Sequence, residues 1–161
     1  MARWKIKNVG MKGVSMAVPE NVVKTSDFDF FSQEEAEVFD NTVGIRRRHI
    51  APDNMCASDM CQAAAEKLLE ELGWERDSID VLLFESVTGD YRTPPTSCIL
   101  QDRLALSENC FCMDIPMGCC GCMYAITVAG NLLTTGNVKR ALLLIGDTAL
   151  RMGSMKDKSR V

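Results

Sequence analysis

Hydrophobic positions in this 161-residue chain follow two patterns, short continuous runs and longer stretches at helical spacing. The short runs cover residues 79–86, 110–115 and 140–147. Their length and branched side chains predict strands that are buried on both faces of a sheet. The longer stretches predict helices over residues 58–72, 94–106 and 120–135. The first of these helices carries its apolar stripe at Met60, Ala63, Ala64, Leu68 and Leu72.

The remaining segments carry weaker patterns. Residues 5–17 predict a strand and its return, broken by Gly10 and Gly13. Ser32 and Glu35 have the spacing of a capping box, which predicts a short helix, and residues 45–52 predict a loop. The alternation of strands and helices predicts an α/β fold, with a mainly parallel sheet flanked by helices, in a single domain over residues 1–161.

The overall charge and the apolar runs narrow the classes of function. The formal net charge is −4, which argues against nucleic acid as a partner because phosphate binding needs a basic face. No apolar run approaches the roughly 20 residues that cross a bilayer, and the N-terminus has no signal-peptide pattern. We therefore expect the protein to be cytoplasmic and not to associate with a membrane. The eight cysteines are then expected to be free thiols.

Five of these cysteines lie between positions 110 and 122, and Cys119 is predicted where a strand ends and a helix begins. A thiol there lies at the positive end of the helix dipole, which favours the thiolate. It also lies at the carboxyl edge of the sheet, where α/β proteins form sites. Gly118 and Gly121 leave room for a substrate carbonyl, and the backbone N–H of Cys119 is placed to face an oxyanion. From this local pattern, a nucleophile and a packed thiol are about equally supported.

A metal site is the alternative for this cluster. Four thiolates bind zinc, but zinc sites usually use C-x-x-C units on a loop, and we count none here. Cys110 and Cys112 point to one face of a predicted interior strand, where cysteine acts as a small apolar residue. We therefore expect no metal. Packing is expected for the other thiols, which are Cys56, Cys61, Cys98, Cys110, Cys112, Cys120 and Cys122.

The segment around Cys119 resembles the nucleophile region of the β-ketoacyl-[acyl-carrier-protein] synthase III family of thiolase-like condensing enzymes. It reads DIPMGCCGCMYAITVAGNLLTTGNVKRALLLIGD. Cys119 stands at the position of the reactive cysteine and is followed by Gly121 and Tyr124. Three further segments resemble the family in order and spacing, namely VGIRRRHIAPD, ESVTGDYRTPPTSCILQDRLAL and DKSR. The resemblance spans nearly the whole chain.

The resemblance implies the N-terminal half of a thiolase-like fold, without the second pseudo-repeat. It implies that Cys119 takes an acyl group from a CoA or acyl-carrier-protein thioester, for decarboxylative Claisen condensation with a malonyl thioester. Acyl carrier protein and CoA thioesters are therefore the expected partners, and no bound cofactor is expected. Arg151 is expected to contact the adenine of CoA. The family's catalytic His and Asn lie in its second half, whereas the only histidine here, His49, matches a loop position and is expected to pack or hydrogen-bond there.

The sequence departs from the family pattern at two positions, and the helix after Cys119 is unusually apolar. The family has a tryptophan against adenine near the position of Val38, and Cys122 replaces an aromatic residue. The helix after Cys119 has no charged residue before Val138, and such a helix is normally buried on all sides. We therefore expect a homo-oligomer or a missing C-terminal half to cover it, and an isolated chain inactive in condensation. The alternative functions are a non-catalytic partner or assembly module of a condensing enzyme and, ranked below it, a Cys-rich metal-binding domain.

Overall fold

The computed structural model of the chain describes residues 5–152, with side chains for residues 5–150. These residues divide into two compact units. The first unit takes in residues 5–17 and 57–147, and the second takes in residues 18–56 and 148–152. The single domain predicted over residues 1–161 stays a prediction.

The regular elements of both units are short. The strands are β1 (Val22–Lys24), β2 (Arg47–His49), β3 (Val81–Glu85), β4 (Phe111–Ile115) and β5 (Ala141–Ile145). The α-helices are α1 (Gln33–Val43), α2 (Ala57–Leu72), α3 (Thr96–Arg103) and α4 (Gly121–Leu133). Single turns of 3₁₀-helix lie at Thr25–Asp27, Arg76–Ser78, Gly118–Cys120 and Ala149–Met152. The three apolar strands and the three longer helices predicted from the sequence are therefore confirmed, within a few residues of their expected ends.

β3 is the central strand of a parallel sheet in the order β4–β3–β5. All five of its residues are buried, which confirms the strand predicted in residues 79–86 and the mainly parallel α/β fold. The outer strands differ from the prediction of burial on both faces, because Phe111 of β4 and Ile145 of β5 are 47% and 43% exposed. Each outer strand pairs with β3 alone among the described residues, so fewer neighbours cover it.

Side chains alternate between the two faces of β3 because successive residues of a strand point to opposite sides. Leu82 and Phe84 belong to the larger apolar core, on the side covered by α2 and α3, which we call the α2 face. Val81 and Leu83 belong to a smaller core on the opposite side, which we call the α4 face. The smaller core is completed by Ile115, Ala125 and Ala129. Glu85 continues the Val81–Leu83 alternation and therefore points to the α4 side of the strand.

Helix α2 has the predicted extent but buries a different stripe from the predicted one. Its core positions are Cys61, Ala65 and Leu69, whereas Ala63 is exposed. Small side chains on the buried stripe let the helix lie close to the sheet, as the approach of Cys61 Sγ to Gly146 shows. Apolar residues occupy two adjacent stripes of this helix, so spacing alone did not decide which one faces the core.

Residues 5–17 form no strand, and the strand and return predicted there are wrong. The segment packs instead through single side chains. Ile6 lies against the bare α-carbon of Gly130 in α4, and Leu68 of α2 lies against Gly13. Alternating apolar residues indicate an extended segment, but they do not show whether a partner strand is available for backbone pairing.

The second unit contains α1 and the antiparallel pair β1–β2. The capping box of α1 is confirmed, because Glu35 N–H donates to Ser32 Oγ at 3.2 Å and Ser32 N–H donates to Glu35 Oε2 at 3.0 Å. The loop predicted over residues 45–52 is wrong at Arg47–His49, which pairs with Val22–Lys24. That pairing runs through backbone groups, so a charged sequence gives no sign of it.

Candidate active site

Cys119 lies in the turn that joins β4 to α4, as the sequence predicts. The strand ends at Ile115, the 3₁₀ turn Gly118–Cys120 follows, and α4 begins at Gly121. The Cys119 side chain is exposed. Because β3, β4 and β5 are parallel, their carboxyl ends meet at this same edge of the sheet. Open α/β sheets form their binding sites at that edge.

Gly118 sets the shape of the turn that carries Cys119. Its φ is +62°, in the left-handed region that glycine adopts without a steric penalty. A Cβ at this position would lie 3.6 Å from Cγ1 of Val87, which follows β3. The Cys119 turn and the loop after β3 therefore lie side by side, and a side chain at position 118 would strain the backbone.

Asp147, just after β5, holds the loop that follows β3. One of its carboxylate oxygens, Oδ1, accepts hydrogen bonds from Ser86 Oγ at 2.8 Å and from Val87 N–H at 2.8 Å. The same oxygen accepts from both the N–H and the Oγ1 of Thr88, at 3.1 and 2.9 Å. This carboxylate fixes the position of the loop beside the Cys119 turn.

Asp114, the first residue of the segment that resembles the condensing enzymes, caps a neighbouring helix. Its two carboxylate oxygens accept from Thr96 N–H at 2.7 Å and from Ser97 N–H at 2.8 Å. These N–H groups belong to the first turn of α3, where backbone donors lack helical partners. The aspartate therefore fastens α3 to β4, a role that the sequence analysis did not predict.

The thiols next to Cys119 have different surroundings. Cys120 Sγ donates to the Met117 carbonyl at 3.2 Å, and Cys122 is half-buried in the first turn of α4. Cys119 and Cys122 do stand in C-x-x-C spacing, so our count of none in the cluster is wrong. This unit lies at the start of a helix and not on the kind of loop that zinc sites use.

The packing predicted for Cys61, Cys110 and Cys112 is confirmed, because all three lie in or against the core of the α2 face. The packing predicted for Cys98 and Cys120 is wrong, because both are exposed. Burial raises the pKa of Cys61 and of Cys112 to about 12. Burial also raises the pKa of Cys110. A thiol that stays protonated is a poor nucleophile, so burial makes these three residues unsuited to that role.

Glu85 is the most unusual side chain at this edge, and the sequence analysis did not single it out. It is only 2% exposed, and its Oε1 has no hydrogen-bond partner among the described residues. A Cβ added to Gly121 would lie 2.1 Å from that oxygen. Burial raises the pKa of the Glu85 carboxyl, as does the charge of Asp147, while the backbone N–H groups of Gly118 and Met117 act in the opposite direction. The only sequence signal was an acidic residue at the end of an apolar run.

Three other sequence predictions concern residues outside the Cys119 turn. The backbone of Arg151 lies in the turn Ala149–Met152, but its side chain and the segment DKSR lie outside the described residues. His49 forms a hydrogen bond through Nδ1 with the Pro19 carbonyl at 2.5 Å, which confirms the hydrogen-bonding role expected for it. Val38, at the position of the family's tryptophan, is 61% exposed on α1.

The described part of the chain contains neither a cluster of metal-ligating side chains nor a helix suited to span a membrane. Within residues 5–152, no group of three or more His, Cys, Asp or Glu side chains is arranged to hold a metal ion. Over the same residues, no helix combines the length and the apolar character that crossing a membrane requires.

Comparison with known proteins gives a consistent result for the sequence. The family model for 3-oxoacyl-[acyl-carrier-protein (ACP)] synthase III matches residues 113–161. The β-ketoacyl-[acyl-carrier-protein] synthase III of Clostridium perfringens is 31% identical over 153 residues, covering 95% of this chain and 47% of the relative. That of Geobacillus kaustophilus is 33% identical over 150 residues, covering 93% and 48%. The chain thus spans about half the length of the curated relatives it matches.

Solved structures agree with this result. A 3-oxoacyl-(acyl-carrier protein) synthase from Burkholderia xenovorans superposes with a TM-score of 0.83 at 38% identity, over 92% of this chain and 44% of that protein. The synthase III of Pseudomonas aeruginosa superposes with a TM-score of 0.81 at 26% identity, over 91% and 45%. The fold is therefore one half of a thiolase-like fold, as the sequence predicts. Over most of its length the chain is therefore similar to members of the 3-oxoacyl-[acyl-carrier-protein] synthase III family, and it corresponds to the N-terminal half of them.

Proposed function

We propose that Cys119 is the acyl-accepting nucleophile of a synthase III-type condensing enzyme, an acyltransferase of fatty acid biosynthesis. This chain would supply the nucleophile half of that enzyme. The observation that carries the proposal is the exposed thiol in the turn before α4, at the carboxyl edge of the parallel sheet. Asp147 and Gly118 support it, because they fix the loop and the turn that surround the thiol.

The first step in this proposal is transfer of an acyl group to sulfur. The Cys119 thiolate attacks the carbonyl carbon of a CoA or acyl-carrier-protein thioester, the bond from that carbon to the carrier sulfur breaks, and the carrier thiolate takes up a proton. The positive end of α4 favours the attacking thiolate. The backbone N–H of Cys119 is our proposed donor to the oxyanion of the tetrahedral intermediate. The product is an acyl thioester on Cys119.

The second step, condensation, needs groups that this chain does not supply. A carbanion made by decarboxylation of a malonyl thioester would attack the acyl thioester. The family resemblance assigns the stabilising His and Asn to the second half of the fold. His49 is the only histidine in the sequence, and the Pro19 carbonyl occupies its Nδ1. We therefore expect the isolated chain to stop at the acyl-enzyme.

Acylation of the purified chain by acetyl-CoA tests the proposal. We expect intact-mass spectrometry to show one added acetyl group and fragment ions to place it on Cys119. Cys119→Ser should abolish the addition, whereas Cys120→Ser, which changes a neighbour that is also exposed, should retain it. Acetylation that survives in Cys119→Ser would contradict the proposal. Release of a β-keto product after addition of malonyl-CoA would contradict the expected stop.

One observation favours the alternative of a partner or assembly module. Met123 and Tyr124 on α4 are 64% and 53% exposed, although α4 has no charged residue. A second half of the fold, or a second copy of the chain, would cover this apolar surface. A chain that binds a condensing enzyme tightly and takes no acyl group would favour the assembly function over the catalytic one.

Three remaining expectations stay proposals. Arg151 is proposed to contact the adenine of CoA, and acyl carrier protein is proposed as the second thioester carrier. The proposal includes no resident cofactor and no metal. One equivalent of zinc in the purified protein, lost in Cys119→Ser, would replace the nucleophile assignment with a metal site. The cytoplasmic location stays a prediction.

A further inference from the structure

Glu85 places a carboxyl where an apolar side chain would be expected. In the register of the sheet, its neighbours at the same level are Ile115 on β4 and Ile145 on β5. The side chain is 2% exposed and its Oε1 has no hydrogen-bond partner in the described structure. Burying a polar oxygen without a partner is unfavourable, and such groups concentrate where function requires them.

The carboxyl of Glu85 lies directly beneath the turn that carries Cys119. A Cβ on Gly121 would lie 2.1 Å from Oε1 and 2.4 Å from the carboxyl carbon, so only the missing side chain of Gly121 lets the carboxyl reach this position. Gly121 is two residues from Cys119. With about 3.8 Å between successive α-carbons, the carboxyl lies within roughly 11 Å of the Cys119 α-carbon.

We propose that Glu85 is a positioning residue for Cys119, whose buried carboxyl controls through its charge how readily the Cys119 thiol ionises. This inference rests on the proposed function, because it takes Cys119 as the reacting group. A carboxylate near a thiol disfavours the thiolate, and a protonated carboxyl does not.

Other charged or titratable groups face the same region and belong to the same electrostatic environment. Asp147 lies at the end of β5 and acts on Glu85 directly. Burial raises the pKa of the Cys61 thiol on α2, and the negative charges of Asp147, Asp90 and Glu85 add to that effect in decreasing order. Asp114 on β4 is engaged by the first turn of α3. Among these groups, Glu85 is the carboxyl that contacts the first residue of α4.

The pH dependence of Cys119 alkylation by iodoacetamide tests this inference, with the modified residue located by fragment-ion mass spectrometry. Removal of one negative charge at the separation given above is expected to favour the reactive thiolate in Glu85→Gln. The alkylation rate at neutral pH should then rise by up to about tenfold. Glu108→Gln, which neutralises an exposed glutamate of the same unit, should leave the profile unchanged.

Glu85→Asp separates an electrostatic role from a merely structural one. It restores the charge while shortening the side chain, so its profile should return toward that of the wild-type chain. If circular dichroism shows that Glu85→Gln is unfolded, the wild-type chain alone tests the inference. Its plot of Cys119 alkylation rate against pH should then contain a second inflection, caused by ionisation of the Glu85 carboxyl. Superimposable alkylation profiles for wild-type and Glu85→Gln would overturn the inference. If the variant is unfolded, a wild-type profile with a single inflection would overturn it. A shifted profile without acylation by acetyl-CoA would refute the proposed function and leave this inference standing.

Discussion

The two faces of the central sheet are built very differently by one chain. On the α2 face, Leu82 and Phe84 lie in a closed core in which most side chains are at most 7% exposed. On the α4 face, the core is small, and the helix that covers it leaves Met123 and Tyr124 largely exposed. The larger closed core therefore lies on one side of the sheet, and the buried carboxyl beside the Cys119 turn lies on the other.

The α4 face also contains the polar exception in β3. The alternation of the strand brings Val81, Leu83 and Glu85 to this side, and the last of these is the buried carboxyl beneath Gly121. Three substitutions test whether the two faces differ as described.

Truncation of the α2 face is expected to give the largest effect. Phe84→Ala removes a ring that is 1% exposed, and we expect it to lower the free energy of unfolding by about 3–5 kcal/mol because it leaves a cavity. Met123→Ala, the matched change on the α4 side, should stay within about 0.5 kcal/mol because that side chain is mostly exposed. Urea unfolding followed by circular dichroism measures both, and equal losses would contradict the asymmetry.

A second substitution tests the contact between Gly121 and Glu85. Gly121→Ala is expected to lower the free energy of unfolding by about 1–3 kcal/mol, because the new Cβ would overlap the Glu85 carboxyl. In a Glu85→Ala background the same change should cost less, with a coupling energy of about 1 kcal/mol or more. Gly10→Ala is the control, since a Cβ there meets nothing within 4 Å. Strictly additive losses would show that the carboxyl does not occupy this space.

The smallest expected effect concerns the polar contact that holds α3 on the α2 face. Asp114→Asn removes a charged acceptor from two backbone N–H groups of α3, and a loss of about 1–2 kcal/mol is expected, as for a helix cap. Asp102→Asn changes an exposed aspartate on α3 itself and should alter stability by less than about 0.5 kcal/mol. Similar changes in the free energy of unfolding for the two variants would show that Asp114 does not hold α3 in place.

Local signals in the sequence predicted much of this structure. The capping box of Ser32 and Glu35 involves residues three apart, and the run that becomes β3 is apolar throughout apart from Glu85. The turn of Cys119 was predictable because Gly118 and the change from strand to helix pattern are adjacent in sequence. In each case the determining interactions lie within a few residues of the pattern that indicates them.

Features that depend on distant partners were not predictable in this way. Residues 5–17 have the alternation of a strand but no ladder, because Ile6 and Gly13 pack on helices instead. The buried stripe of α2 was misjudged, since the sheet selects Cys61 and its neighbours by size. Glu85 was not singled out in the sequence, because its contact with Gly121 joins two residues that are 36 positions apart.

The capping of α3 by Asp114 has a consequence for the order in which the chain folds. α3 has only 8 residues, and its own N-cap residue, Pro95, offers no side-chain acceptor. So short a helix is marginal in isolation, and the acceptors for its first turn come from a residue 17 to 18 positions farther along the sequence. During synthesis α3 would therefore remain transient until β4 has been made and has docked beside β3.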